Sequence, residues 1–539
     1  MSHVPLSQPM THAVEPVSHA VEPAAHAGEP VAHAVLAAAG PVQSVDWVAI
    51  APVAVTAVFA LGLLVADLFL TERRKPLLGW AAVAGLGLAL LTLLPLVGAD
   101  RSTFCLTTDA DTCSYTADSF ALVLQLLVLG GALLTALLSL TTVTTSKLPP
   151  GEYWFLLLSS AAGAALLPAA RDLATLVIAL EVASLPVFAL IALRRGDRLA
   201  SEAALKFFLS SVAATAVTLL GVSFVYAATG SLHLGVVAER LGDVDPALTA
   251  LAPAGVVLTL VGFAFKTAAV PYHFWVPETY VGAPVPVAAY LSVIGKAAGL
   301  SGLILVTVYA FPAYASTWGP VLAVLAALTM TVGNAGALRQ RADAPHSAVR
   351  LLAWSSVAQA GYLLVPIAAA AYTDDPGRAV GATVAYALMY AVVNLGAFAV
   401  VLRLRTPGAR ASGARVADFR GLYAAHPLVA LILGFFLLCL AGLPPGIVGL
   451  FAKVTVFAAA VDAGLGWLAL VMAANVVIGL VYYLRWTALL FRAPAPGAAP
   501  VRLRRAAPLT AALAVTAVAG VVLSGAPQLI LRFASGSLL

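Results

Sequence analysis

Charge is scarce in this sequence. Of 539 residues, 24 are acidic and 29 are Lys or Arg, together 10%, whereas 62% are hydrophobic. Soluble domains carry about 25% charged residues. So few cannot cover a chain of this length in water, because much of any protein's surface must face its solvent. An ordinary soluble fold is excluded, and lipid is the solvent for most of the chain. The formal net charge of +5 does not mark a nucleic-acid binder, since the basic residues sit in short segments between apolar runs. Cysteine is nearly absent, at three residues. Cys105 and Cys113 share one polar loop and Cys439 lies in an apolar run. Without a Cys-x-x-Cys pair or a Cys/His cluster, no metal or cofactor site is expected in this chain. A glycine-rich dinucleotide loop is also missing. Residues 1–40 lack the basic start and apolar core of a signal peptide.

What is present begins with a tail, 1–45, built on a degenerate seven-residue repeat (HAVEPVS, HAVEPAA, HAGEPVA, HAV). Pro16, Pro23 and Pro30 recur in it and disfavour a continuous helix, so it reads as a disordered tail. A weak metal tract through His12, His19, His26 and His33 is the sharper reading. From Asp46 onward, apolar runs alternate with short polar breaks. A span needs about 20 apolar residues. Fourteen are expected, near 47–70, 77–99, 119–145, 153–170, 173–193, 202–228, 249–275, 286–310, 318–338, 347–370, 379–402, 427–460, 466–490 and 508–531. The seventh and twelfth are irregular. With the N-terminus outside, the inner loops hold nineteen of the 29 Lys and Arg residues and the outer segments five. This asymmetry predicts both termini outside. It also puts Cys105 and Cys113 outside, where their spacing permits a disulfide without demanding one.

The remaining five cations, Lys206, Lys266, Lys296, Lys453 and Arg485, fall within the spans, together with the acid Glu181. A charge at the bilayer centre costs at least about 2.5–3.5 kcal/mol. Such groups are expected to face the bundle interior, partners or internal water. Burial disfavours a charged lysine and a nearby carboxylate favours it, so a buried lysine can load or release a proton as its distance to an acid changes. Glu181 is the expected counter-charge, with Lys266 or Lys206 as partner. Bland readings compete. Lys206 follows Glu202 by four residues and fits an ordinary helical ion pair, and Arg485 fits snorkelling to the interface. Lys266 precedes Pro271 and Pro277, and Lys453 follows Pro444, Pro445 and Gly446. Paired breaks of this kind, one per half of the chain, are the mark of inverted repeats with ion sites at the breaks. His273 is a candidate proton relay or simply a partner for a freed carbonyl. Ser355, Ser356, Gln359 and Asn394 are polar groups in apolar runs that order water or join helices.

Several stretches resemble the antiporter-like subunits of NADH–quinone oxidoreductase (complex I). They are RDLATLVIALEVASLPVFAL, SEAALKFFL, FKTAAVPYHFWVPETYVGAPVPVAAYLSVIGK, LLAWSSVAQAGYLL, NLGAFAVV and LAGLPPGIVGLFAK, and the likeness runs from about residue 119 to 490. The N-type branch fits best, because Gly282 stands where the M-type, L-type and cation/proton antiporter subunits usually carry an acid. The resemblance implies an all-α polytopic membrane fold with two inverted five-helix repeats and broken helices 7 and 12. Helices 1–3 would occupy 46–145, the repeats 146–310 and 311–490, and an inner loop with helix 14 would occupy 491–539. It implies proton translocation through Glu181, Lys206, Lys266, Lys296 and Lys453 in a bacterial plasma membrane. NADH, FMN, iron–sulfur clusters and quinone would belong to partner subunits, with K-type and M-type subunits adjacent. Two departures stand out. Gln359 occupies a position where the family often has histidine, and Trp354 one where tyrosine is usual. The alternatives are a subunit of a multisubunit cation/proton antiporter or membrane-bound hydrogenase, and a scaffold that only seals the membrane arm.

Overall fold

A computed structural model describes residues 45–107, 109, 111–405, 413–494 and 501–535. The repeat in residues 1–44, with its suggested metal tract, lies outside them. The helices used below are α1 (Trp47–Phe69), α2 (Pro76–Leu91), α3 (Ser119–Thr145), α4 (Pro150–Leu166), α5 (Leu173–Ala192), α6 (Arg198–Thr229), α7 (Leu251–Thr267), α8 (Trp275–Gly282), α9 (Val285–Ala310), α10 (Ala315–Leu338), α11 (Ser347–Ala369), α12 (Pro376–Arg403), α13 (Pro427–Ala441), α14 (Ile447–Asp462), α15 (Gly466–Phe491) and α16 (Ala507–Gly525).

Aspartates start many of these helices. Asp46, Asp118, Asp172, Asp197 and Asp375 each accept hydrogen bonds from first-turn N–H groups, satisfying donors that a helix cannot pair itself. Among the described residues, eleven helices are long and apolar enough to cross a membrane. The other three expected spans are α4, 17 residues long with a 3-10 turn at Leu167–Ala169, and the two irregular ones. The seventh is cut after Thr267, where Ala268 adopts a left-handed φ of 66°. It resumes as α8, so 276–285 is largely the second half of a broken helix and not a plain loop. The twelfth is cut at Gly442, φ 83°, and resumes as α14. Prolines in both gaps lack the N–H that would continue a helix.

Burial sorts the helices into a core and a periphery. In the most apolar stretches of α9 and α11, 94% of residues are buried, against 28% for α1 and 33% for α6. The core helices therefore carry Lys296, Ser355, Ser356 and Gln359. Residues 101–117, read from sequence as a polar loop, form an antiparallel hairpin, β1 (Arg101–Cys105) and β2 (Cys113–Ala117), closed by a Cys105–Cys113 disulfide. Residues of β2 alternate between buried and half-buried, as a strand with one face on the bundle requires. The hairpin is tied to the bundle by Arg101 to Asp46 at 2.7 Å and by the Tyr115 hydroxyl, which donates to the Ala49 carbonyl at 3.1 Å. Arg171 pairs with Asp118 beside it.

Candidate functional site

The first cluster forms where α5 meets the break after α7. Ser184 lies one turn beyond Glu181 on α5. Its hydroxyl donates to the Leu180 carbonyl at 2.6 Å, which leaves its lone pairs to accept from Lys266 Nζ at 2.7 Å. Lys266 is 2% exposed and sits in the last turn of α7, where unpaired carbonyls favour a cation. The Phe207 ring lies 5.7 Å from its ammonium. Gly299 brings α9 against this turn, since a Cβ there would stand 3.0 Å from Lys266 Cβ. Glu181, half-buried, accepts from Thr215 Oγ1 at 2.5 Å and forms no ion pair with Lys266 among the described residues.

The second cluster is centred on α9 and α11. Lys296, 1% exposed, follows a π-helical turn at Leu291–Gly295. Such turns concentrate at functional sites because they leave backbone groups unpaired. Its ammonium donates to the Ser356 carbonyl. Ser356 Oγ accepts from the Tyr390 hydroxyl at 2.9 Å, and Asn394 Nδ2 donates to Ser292 Oγ at 2.7 Å. Next to Ser356, Ser355 Oγ and the Tyr483 hydroxyl share a hydrogen bond of 2.5 Å. Gln359 Nε2 donates to Tyr483 at 3.1 Å and to the Leu440 carbonyl at 3.4 Å, while its Oε1 accepts from Tyr386. Lys453 Nζ donates to Leu440 and Ala441, both at 2.8 Å. The lysine of α14 therefore caps the last carbonyls of α13 across the break. A file of polar groups thus runs from Lys296 to Lys453, and Gln359 stands in it where histidine was the family expectation. A side branch runs from Tyr362, whose ring lies 5.3 Å from Lys453 Nζ, through Asn334 to Tyr482.

Lys266, Lys296 and Lys453 are placed inside, as the sequence suggested. Lys206 is not. Its side chain is 48% exposed and pairs with Glu202 at 2.6 Å, the ordinary i,i+4 arrangement. About two turns into α6, it pairs with an acid of its own helix and, among the described residues, not with Glu181. Arg485 is exposed near the end of α15. His273 is half-buried in the first break with its ring 5.7 Å from that of Trp354, and its Nδ1 has no partner among the described residues. No hydrogen bond joins it to either lysine cluster among those residues. The sequence reading did not single out Ser184, Thr215, Tyr386, Tyr390 and Tyr483. Ser184 had a visible signal, a hydroxyl one turn from a buried acid. The tyrosines had none, because helices apolar on every side do not show which face is inward. Among the described residues, no group of three His, Cys, Asp or Glu side chains converges as a metal site.

A membrane bundle with two broken helices, each beside a buried lysine, defines the class, and comparison with known proteins gives the family. Residues 170–479 match the family model described as NADH:quinone oxidoreductase/Mrp antiporter, transmembrane. The chain belongs to this family. It is 69% identical over 521 residues to NADH-quinone oxidoreductase subunit N 2 of Streptomyces griseus subsp. griseus, covering 94% of this chain and 96% of that one. It is 43% identical over 531 residues to NADH-quinone oxidoreductase subunit N of Salinispora tropica, covering 92% and 99%. Among solved structures, a chain of respiratory complex I from Thermus thermophilus superposes with a TM-score of 0.72 at 32% identity, covering 90% of this chain and all of that one. A chain of the Mrp complex from Dietzia sp. shares the fold, with a TM-score of 0.71 at 21% identity, covering 90% and 96%.

Proposed function

We propose that this chain is a proton-translocating, N-type membrane subunit of a bacterial NADH:quinone oxidoreductase (complex I). One observation carries the reading: three lysines are buried in a membrane bundle, each donating to a neutral oxygen, and polar groups lie between two of them, hydrogen-bonded from Ser355 through Tyr483 and Gln359 to the Leu440 carbonyl that also accepts from Lys453. A neutral acceptor holds an ammonium without a counter-charge, so the proton can leave when the field around it changes. Glu181 supplies that changing field for Lys266. Thr215 holds its carboxylate in one position, and movement toward or away from Lys266 loads or unloads the amine. Lys296 then passes charge toward Lys453 with internal water completing the steps between fixed groups. Within this reading the repeats are 146–310 and 311–490, both termini face outward, and Lys453 opens toward the outer side.

Redox chemistry belongs to partner subunits, which bind NADH, FMN, iron–sulfur clusters and quinone. K-type and M-type subunits flank this one, and the exposed face of α6 that bears Lys206 is suited to meet one of them. Gly282 favours the N-type over the antiporter subunits. A side chain there would press on the Leu199 carbonyl at 2.7 Å, so the acid usual in those subunits has no room. The test uses Glu181→Ala and Lys266→Ala in the assembled, membrane-reconstituted complex. Fewer protons pumped per NADH, with quinone reduction retained, is the expected result. Full stoichiometry in an assembled complex would make the chain a scaffold.

A further inference from the structure

At the end of the bundle that carries the basic loops, α10 and α15 finish side by side over a cavity of about 810 Å³. Arg339, Arg341, Arg485 and Arg492 line it. Arg341 pairs with Asp343 at 3.2 Å, and the other three make no ion pair among the described residues. Guanidiniums gathered around one cavity repel each other unless an anion sits among them. Trp486 also lines the cavity, is 1% exposed, and its indole N–H finds no acceptor among the described residues.

Exposed apolar side chains continue along both helices away from the cavity. Val481, Val477 and Leu470 are exposed on one face of α15, and Leu338, Leu328 and Val324 on one face of α10. These stripes lie below the arginines, on the hydrocarbon side. An anionic head above and acyl chains below match this arrangement, and basic pockets between membrane helices recognise lipid heads in this way. Guanidiniums bind phosphate oxygens in pairs, which a lone surface charge does not. We propose that this cavity is a specific site for an anionic phospholipid, with its phosphate held by Arg339, Arg485 and Arg492 and its chains lying on the exposed apolar faces of α10 and α15. The site is independent of the proton-pump reading, since none of these arginines belongs to the lysine file.

The test is native mass spectrometry of the delipidated full-length chain, titrated with phosphatidylglycerol and with phosphatidylcholine of the same acyl chains. One phosphatidylglycerol is expected to bind tightly, and Arg485→Gln with Arg492→Gln should weaken it by about tenfold or more. Arg378→Gln, outside the cavity, should change nothing. Equal affinity for both lipids, or unaltered phosphatidylglycerol binding in the double variant, overturns the proposal. A partner polypeptide cross-linked to Arg485→Cys in the assembled complex, without any phosphatidylglycerol preference, would assign the arginines to a subunit interface instead.

Discussion

A buried ammonium has three N–H donors to satisfy. Lys453 uses two carbonyls freed by a helix break, Lys296 one carbonyl, and Lys266 one serine. Removing a sole acceptor leaves a buried donor unpaired, at a cost of about 1–3 kcal/mol. Ser184→Ala should therefore reduce proton pumping by the assembled complex, and Ser184→Thr, which keeps the hydroxyl, should restore most of it. Gln359 makes three contacts but carries no titratable proton. Gln359→Leu should block the step to Lys453, whereas Gln359→His should pump with a new pH dependence centred near the imidazole value of about 6.5. A pH profile of pumping that is the same for Gln359→His and the unaltered chain would contradict this.

At the same scale, Asp46 links α1 to the hairpin. The N–H of Ala49 foremost, and then Arg101 and the N–H of Val48, hold its carboxyl below the ordinary 3.8. A depressed carboxylate contributes stability that is present above the unfolded value and lost as pH falls through the folded one. Acidification below about pH 4 should loosen this attachment. Thermal unfolding followed from pH 6 downward checks it, with Asp46→Asn losing that part of the pH dependence.

At the scale of elements, the breaks in α7–α8 and α13–α14 do two things. They end a helix inside the bundle, and they offer its last carbonyls to a cation. Gly442 is needed on both counts. Its φ is 83°, and an added Cβ would stand 2.9 Å from Lys453 Cδ. Gly442→Ala should destabilise the chain by about 1–3 kcal/mol and displace the lysine, detectable as a lower unfolding temperature and lost pumping. These breaks were legible in the sequence because proline and glycine act through the backbone, whatever the tertiary context. Lys266, Lys296 and Lys453 were legible because a charge in an apolar run is conspicuous. Lys206 entered the site through the family resemblance, and its i,i+4 spacing from Glu202 already signalled the ion pair that the structure shows. The hairpin at 101–117 was missed because its strands, RSTFC and CSYTA, are mostly polar and lack the apolar alternation that signals a strand.

At the scale of the whole molecule, the most buried helices, α9, α11 and α12, carry Lys296, Ser356, Gln359, Tyr386 and Tyr390, while α1, α6 and α16 are mostly exposed. Burial on this pattern keeps both Lys296 and Lys453 away from bulk water and lipid, and the proposed function makes the two lysines successive stations on one route. Stations in series fail differently from independent carriers: blocking either stops the flow, so effects on a shared route do not add. The direct measurement is protons pumped per NADH oxidised by the reconstituted complex carrying Lys296→Ala, Lys453→Ala, or both. Each single variant should lose as much pumping as the double variant, with the complex intact. A double variant that pumps clearly less than either single one would show two separate carriers and contradict the account.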